Sequence, residues 1–264
     1  MRFMDLSDWR SPTDHALINQ FAIRCFRDTG DGDYIAARLA MKARLGGQFL
    51  WSAQQAIEKY LKCILMLNRK TTKDLSHDIR RALNRINEEL PFKIEMRKPE
   101  EELFDHIDEW GGDRYLLFSH HVFDKEVLKL DLLVWHLRQY CEPLDVVHYA
   151  DEPSDAVLLR NVAAIEARLM GPAKGGHIRG AFLEQVLANK DHPARPGLVW
   201  RNARYCGKPL KFIKFVDNWQ AVNAPLYLTP ELANQVAMYM KIPKDVVNAA
   251  NELAARRERT GEKA

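Results

Sequence analysis

The chain has 264 residues, 47% hydrophobic and 28% charged, with a formal net charge of +3. That balance fits a globular protein with a sizeable core and argues against a disordered chain. No apolar run approaches the roughly 18–20 residues that span a bilayer, and the opening "MRFMDLSDWR" lacks a signal-peptide stretch. The expectation is a cytoplasmic protein without a membrane partner.

The charge is unevenly spread. Residues 1–149 hold 22 Lys/Arg against 24 Asp/Glu, and residues 150–264 hold 17 against 12. Within 174–214 there are nine basic residues and two acidic ones, a bias that suits a polyanionic partner. Cys25, Cys63, Cys141 and Cys206 are scattered with no Cys-x-x-Cys, which supports neither a disulfide framework nor a zinc cage.

Helix signals dominate the chain order. Ser11 and Pro12 fit the N-cap and N1 positions of a first helix that closes at a turn near Gly30 and Gly32. A second helix is expected from about Asp33 to Leu45. A third, within 48–67, carries Trp51, Ala53, Ala56, Ile57, Tyr60, Leu61, Ile64 and Leu65 on one face and Gln55, Glu58, Lys59 and Lys62 on the other. Ser76 can cap a fourth helix that Pro91 ends. The stretch "RKPEEELFDHIDEWGGD" reads as acidic and partly irregular, and a long helix is expected from Arg114 to Tyr140. "DVVHYADEPSD" is the candidate boundary between domains 1–149 and 150–264. Further helices are expected near 154–169, 178–189 and 243–257, with Thr229 and Pro230 opening another. No alternation is long enough to predict a sheet, so the expected class is all-α. "PELANQVAMYMKIPKDVVNAANEL" has a helix–turn–helix outline, but its first helix is about a turn too long for that motif.

Ala53, Gln54, Gln55, Ala56, Glu58, Lys59, Leu61 and Lys62, followed by His77-Asp78 and Arg114-Tyr115, resemble the signature of the HEPN (higher eukaryotes and prokaryotes nucleotide-binding) family over residues 33–141. The resemblance implies an antiparallel helical bundle, HEPN-like; beyond it the residue pattern predicts a smaller helical C-terminal region. It also implies a homodimer, binding of a nucleotide or RNA, and membership in toxin–antitoxin or defence systems. A nucleotidyltransferase-type partner would be a separate chain, because its Gly-Ser and Asp-x-Asp combination is missing.

The family's ribonucleases use an Arg and a His separated by four to six residues, matched by Arg114 and His120. A neutral imidazole can take the 2′-OH proton while a guanidinium stabilises charge on phosphorus. On one continuous helix these two residues would lie about 240° apart, and Tyr115 stands where the active group carries a polar residue. The expectation is therefore a non-catalytic nucleotide- or nucleic-acid-binding module. The alternatives are a metal-independent ribonuclease using Arg114 and His120 at a dimer interface, and a helical protein-interaction scaffold.

His120 and Asp124 have helical ligand spacing but no third ligand, so no metal or other cofactor is expected. In the basic region, Arg201, Arg204, Lys208, Lys211 and Lys214 interleave with Trp200 and Tyr205. Cations for phosphates and rings for bases suit a single-stranded nucleic acid.

Overall fold

The computed structural model describes residues 12–111, 120–149, 151–170, 176–202, 204–205, 219–222 and 225–261, with 120 and 219–222 described by backbone alone. The fold is all-α, with one short antiparallel ribbon among the described residues. Its elements are α1 (Asp14–Ala22), α2 (Asp28–Lys42), α3 (Gly46–Leu67), α4 (Ile79–Glu89), α5 (Lys98–Trp110), β1 (His120–Phe123), α6 (Glu126–Arg138), α7 (Asp155–Met170), α8 (Phe182–Ala188), α9 (Arg195–Val199), β2 (Trp219–Val222), α10 (Pro225–Leu228), α11 (Ala233–Val236) and α12 (Lys244–Thr260).

Several boundaries differ from the sequence expectation for identifiable reasons. The first helix is capped by Thr13, whose hydroxyl accepts from the Ala16 amide at 3.2 Å. The predicted turn at Gly30 is helical instead. A π-helical turn, Ile23–Arg27, joins α1 to α2 without a break. A Cβ at Gly30 would lie 3.3 Å from Lys59 and Tyr60, so this glycine serves close packing of α2 on α3. Asp78, not Ser76, caps α4, its carboxylate accepting from the Arg81 amide at 2.8 Å.

The acidic stretch expected to be partly irregular is the regular helix α5, started by a capping box in which Glu100 accepts from the Arg97 amide. The long helix expected from Arg114 to Tyr140 is also corrected. His120–Phe123 is a strand, with His120 paired to Val222 and Phe123 to Trp219, and the helix begins only at Glu126. Alternation in a four-residue strand is too short to register as a sheet signal.

The hydrophobic core runs on both sides of the polar stretch at 145–155 where the sequence suggested a boundary. Leu158, Val162, Ile165, Leu183, Val186, Leu198 and Tyr205 join one cluster with Tyr34, Phe49, Ile57, Leu61, Leu130 and Val134. Leu226, Ala233, Val246 and Ala250 form a second, smaller cluster.

Two buried ion pairs lock α2 to α6. Asp31 and Arg38 on α2 are seven residues apart, as are Asp131 and Arg138 on α6. The pairs cross, Asp31 with Arg138 and Arg38 with Asp131, which fixes the two helices antiparallel. Arg138 donates to Asp31 at 2.7 and 2.9 Å and to Glu184 at 3.0 and 2.9 Å. Arg38 also donates to the carbonyls of Gly197 and Trp200. Tyr60 donates to Asp31 and Tyr34 to Asp131, each at 2.7 Å. Burial pushes both Asp carboxyls up against the pull of their guanidinium partners. The segment 184–200 thus adds hydrogen-bond partners to both arginines inside the bundle.

Candidate functional site

The polar residues of the α3 signature have a structural task. The Gln54 amide donates to the His77 carbonyl at 3.3 Å. Lys62 donates to the Ser76 carbonyl and to Glu58, each at 2.6 Å. Glu58, expected on the polar face, is buried, and its second oxygen meets His77 Nδ1 at 2.9 Å. Together these bonds hold the turn that leads into α4. Trp51, expected on the apolar face, is 42% exposed.

An open cleft of about 760 Å³ lies beside this turn, lined by His77, Asp78, Arg80, Arg81, Asn84 and Asp108 among others. Its guanidiniums are already engaged, Arg80 with Asp105 and Asp108, and Arg81 with Asp74.

A smaller cleft, about 310 Å³, is better built to hold a ligand. It lies between the 93–97 segment, α6 and α7, lined by Lys93, Glu95, Arg97, His136, Tyr140, Glu166, Leu169 and Met170. His136 and Tyr140 are buried, whereas Lys93, Glu95, Arg97, Glu166 and Met170 stand exposed around them. Tyr140 stacks on Phe92 with ring centroids 5.3 Å apart. His136 is oriented through Nδ1, 2.9 Å from Glu100 Oε2.

The cleft is electrically divided. Burial pushes the Tyr140 hydroxyl up to about 12, helped by Glu166 and Glu95, so it stays protonated and can donate. At the other side burial would raise Glu100, but hydrogen bonds from His136 and Arg97 outweigh it and hold the carboxyl at about 2. Arg97 donates to Glu100 through Nε at 2.9 Å. Glu95 and Glu166 thus bear on Tyr140, while Arg97 and His136 bear on Glu100.

The residues expected from sequence are distributed differently. Arg114, Lys208, Lys211 and Lys214 lie outside the described residues. His120 occupies β1, so it does not share one continuous helix with Arg114. Asp124 is buried and pairs with Arg44 at 3.4 Å. Tyr205 is a core residue whose hydroxyl accepts from Arg138 at 3.2 Å, which removes it as a stacking platform. Arg204 lies over the Trp135 ring at 4.1 Å, and Arg201 over Trp200 at 5.3 Å.

The 310 Å³ cleft was missed because its members come from 93–97, 136–140 and 166–170 with no common motif. The repeated Asp-x6-Arg of α2 and α6 was a usable signal that two helices share buried charge. No protein-family model matches the chain, and no curated protein or solved structure matches it significantly.

Proposed function

We propose that the chain is a HEPN-like module that binds a nucleotide, free or at the end of a nucleic acid, without catalysing its cleavage. The observation that carries this reading is the cleft over His136 and Tyr140. Its volume of about 310 Å³ falls at the lower end of ligand pockets, roughly 300–1,000 Å³. Leu169 and Met170 offer apolar surface for a base. Glu95 and Glu166 can accept from ribose hydroxyls or an exocyclic amine, while Lys93 and Arg97 can meet phosphate. Among the described lining residues there is no Ser, Thr or Cys, and His136 is tied to Glu100. The toxin–antitoxin or defence setting, the homodimer and the separate nucleotidyltransferase-type partner belong to the same proposal through the signature on α3.

Isothermal titration with the four ribonucleoside monophosphates tests it. Saturable binding that weakens at least about tenfold in Lys93→Glu and Glu166→Lys, each a loss of about 1.4 kcal/mol, is expected. The absence of saturable binding for all four would remove the proposal.

The ribonuclease alternative gains one observation. Because His120 sits in a strand, the argument that Arg114 and His120 point apart around a single helix no longer applies. Cleavage of single-stranded RNA in excess EDTA, leaving a 2′,3′-cyclic phosphate and abolished by His120→Ala, would favour it over a binding module.

A further inference from the structure

We infer that His136 and Tyr140 are the specificity pair of the cleft, and that they read a ligand edge carrying an N–H donor beside a hydrogen-bond acceptor, the unpaired pairing edge of a nucleobase. This rests on the cleft being the nucleotide site and names the part of the nucleotide that the site selects. The two residues are four apart in sequence, with ring centroids 6.0 Å apart. Both line the cleft, although only 3% of His136 and 1% of Tyr140 is exposed.

Each ring is fixed by a neighbour that leaves its polar end unused. Glu100 Oε2 holds His136 Nδ1 at 2.9 Å, and Phe92 stacks nearly parallel on Tyr140, with 15° between the ring planes. Among the described residues neither His136 Nε2 nor the Tyr140 hydroxyl has a hydrogen-bond partner, yet both atoms keep access to solvent. Other unpartnered polar atoms are shut inside the fold, as Nε and Nη1 of Arg204 and Oδ2 of Asp131 are. The difference matters for binding. A ligand that displaces water from the cleft must replace its hydrogen bonds to these two groups or leave them unsatisfied.

The two groups are chemically complementary. Glu100 is held ionised, with its carboxyl at about 2, so it can only accept and takes the Nδ1 proton. In the neutral ring Nε2 then carries the lone pair and is an acceptor. The Tyr140 hydroxyl, pushed up to about 12, stays protonated and donates. One acceptor and one donor on adjacent rings call for one donor and one acceptor on the ligand. Nucleobases supply both on the edge used for pairing, which a duplex occupies and a free or unpaired terminal nucleotide leaves open.

The test is isothermal titration of the full chain with two pairs of probes, AMP against N6,N6-dimethyl-AMP and UMP against 3-methyl-UMP. Methylation removes the edge N–H in each. The parent nucleotide that binds should do so at least about tenfold more tightly than its methylated form. His136→Asn keeps a donor for Glu100 but removes Nε2, and should erase that difference. Tyr140→Phe keeps the Phe92 stack and should weaken the parent about tenfold; it also covers the case in which His136→Asn fails to fold. Equal affinity for parent and methylated forms in wild type, or unchanged affinity in Tyr140→Phe, overturns the specificity pair and leaves the cleft standing. A methyl penalty that persists in folded His136→Asn is steric and overturns it too. If neither AMP nor UMP binds, the pair is overturned, and the nucleotide reading falls with it when CMP and GMP also fail.

Discussion

Replacing Arg38 by Met should destabilise the protein severely. The side chain is fully buried and donates to Asp131 and to the carbonyls of Gly197 and Trp200. Methionine would fill much of the volume but leave Asp131 with only the Tyr34 hydroxyl among its described hydrogen-bond donors and two carbonyls without this donor. Removing one partner of a buried pair costs about 3–5 kcal/mol. At about 2.1 cal/mol/K per residue of unfolding entropy, 264 residues give about 0.55 kcal/mol/K. A loss of about 4 kcal/mol then lowers Tm by about 7 °C if the chain unfolds as one unit. Differential scanning calorimetry measures this directly. Asp131→Asn in the Arg38→Met background should recover part of the loss, because the orphaned charge is removed with its partner. A Tm within about 2 °C of wild type for Arg38→Met would mean that water reaches the pair, refuting the claim that it is desolvated.

Gly197→Ala should cost about 1–3 kcal/mol, because a Cβ there would lie 2.6 Å from Leu39; chemical denaturation reads the loss. Glu58→Gln should loosen the turn held by α3, seen as faster amide exchange at Asp78–Arg81 with little change elsewhere. The Glu100 carboxyl has a folded pKa of about 2 against an ordinary 4.5, so the unfolded chain binds its proton first. Its contribution is complete above about 4.5 and disappears as pH falls toward about 2, amounting to about 3 kcal/mol. Glu100→Gln should accordingly flatten the acid limb of the stability profile; an unchanged limb would show that Glu100 is not held ionised by His136 and Arg97.

The part of the fold legible in sequence was the part governed by local periodicity. The α3 stripe from Ala53 to Leu65 and the apolar positions of α6 announced buried helices, and the all-α class followed. What escaped was set by tertiary partners. Gly30 looked like a turn because nothing local reveals that α3 presses against it. Glu58 looked solvated because its partner His77 is nineteen residues away. The break before Glu126 escaped because β1 depends on β2, about a hundred residues later. Tyr205 and Arg204 read alike as nucleic-acid contacts. Only packing against Arg138 and Trp135 separates the core tyrosine from the unsatisfied arginine.

The most direct measurement is photo-crosslinking with an azido-substituted adenosine monophosphate, followed by peptide mapping of the labelled chain. The account predicts label within 93–97, 136–140 or 166–170, suppressed by excess unmodified AMP and reduced by Glu166→Lys. Label concentrated elsewhere, or label that excess AMP does not suppress, would contradict a nucleotide site over His136 and Tyr140.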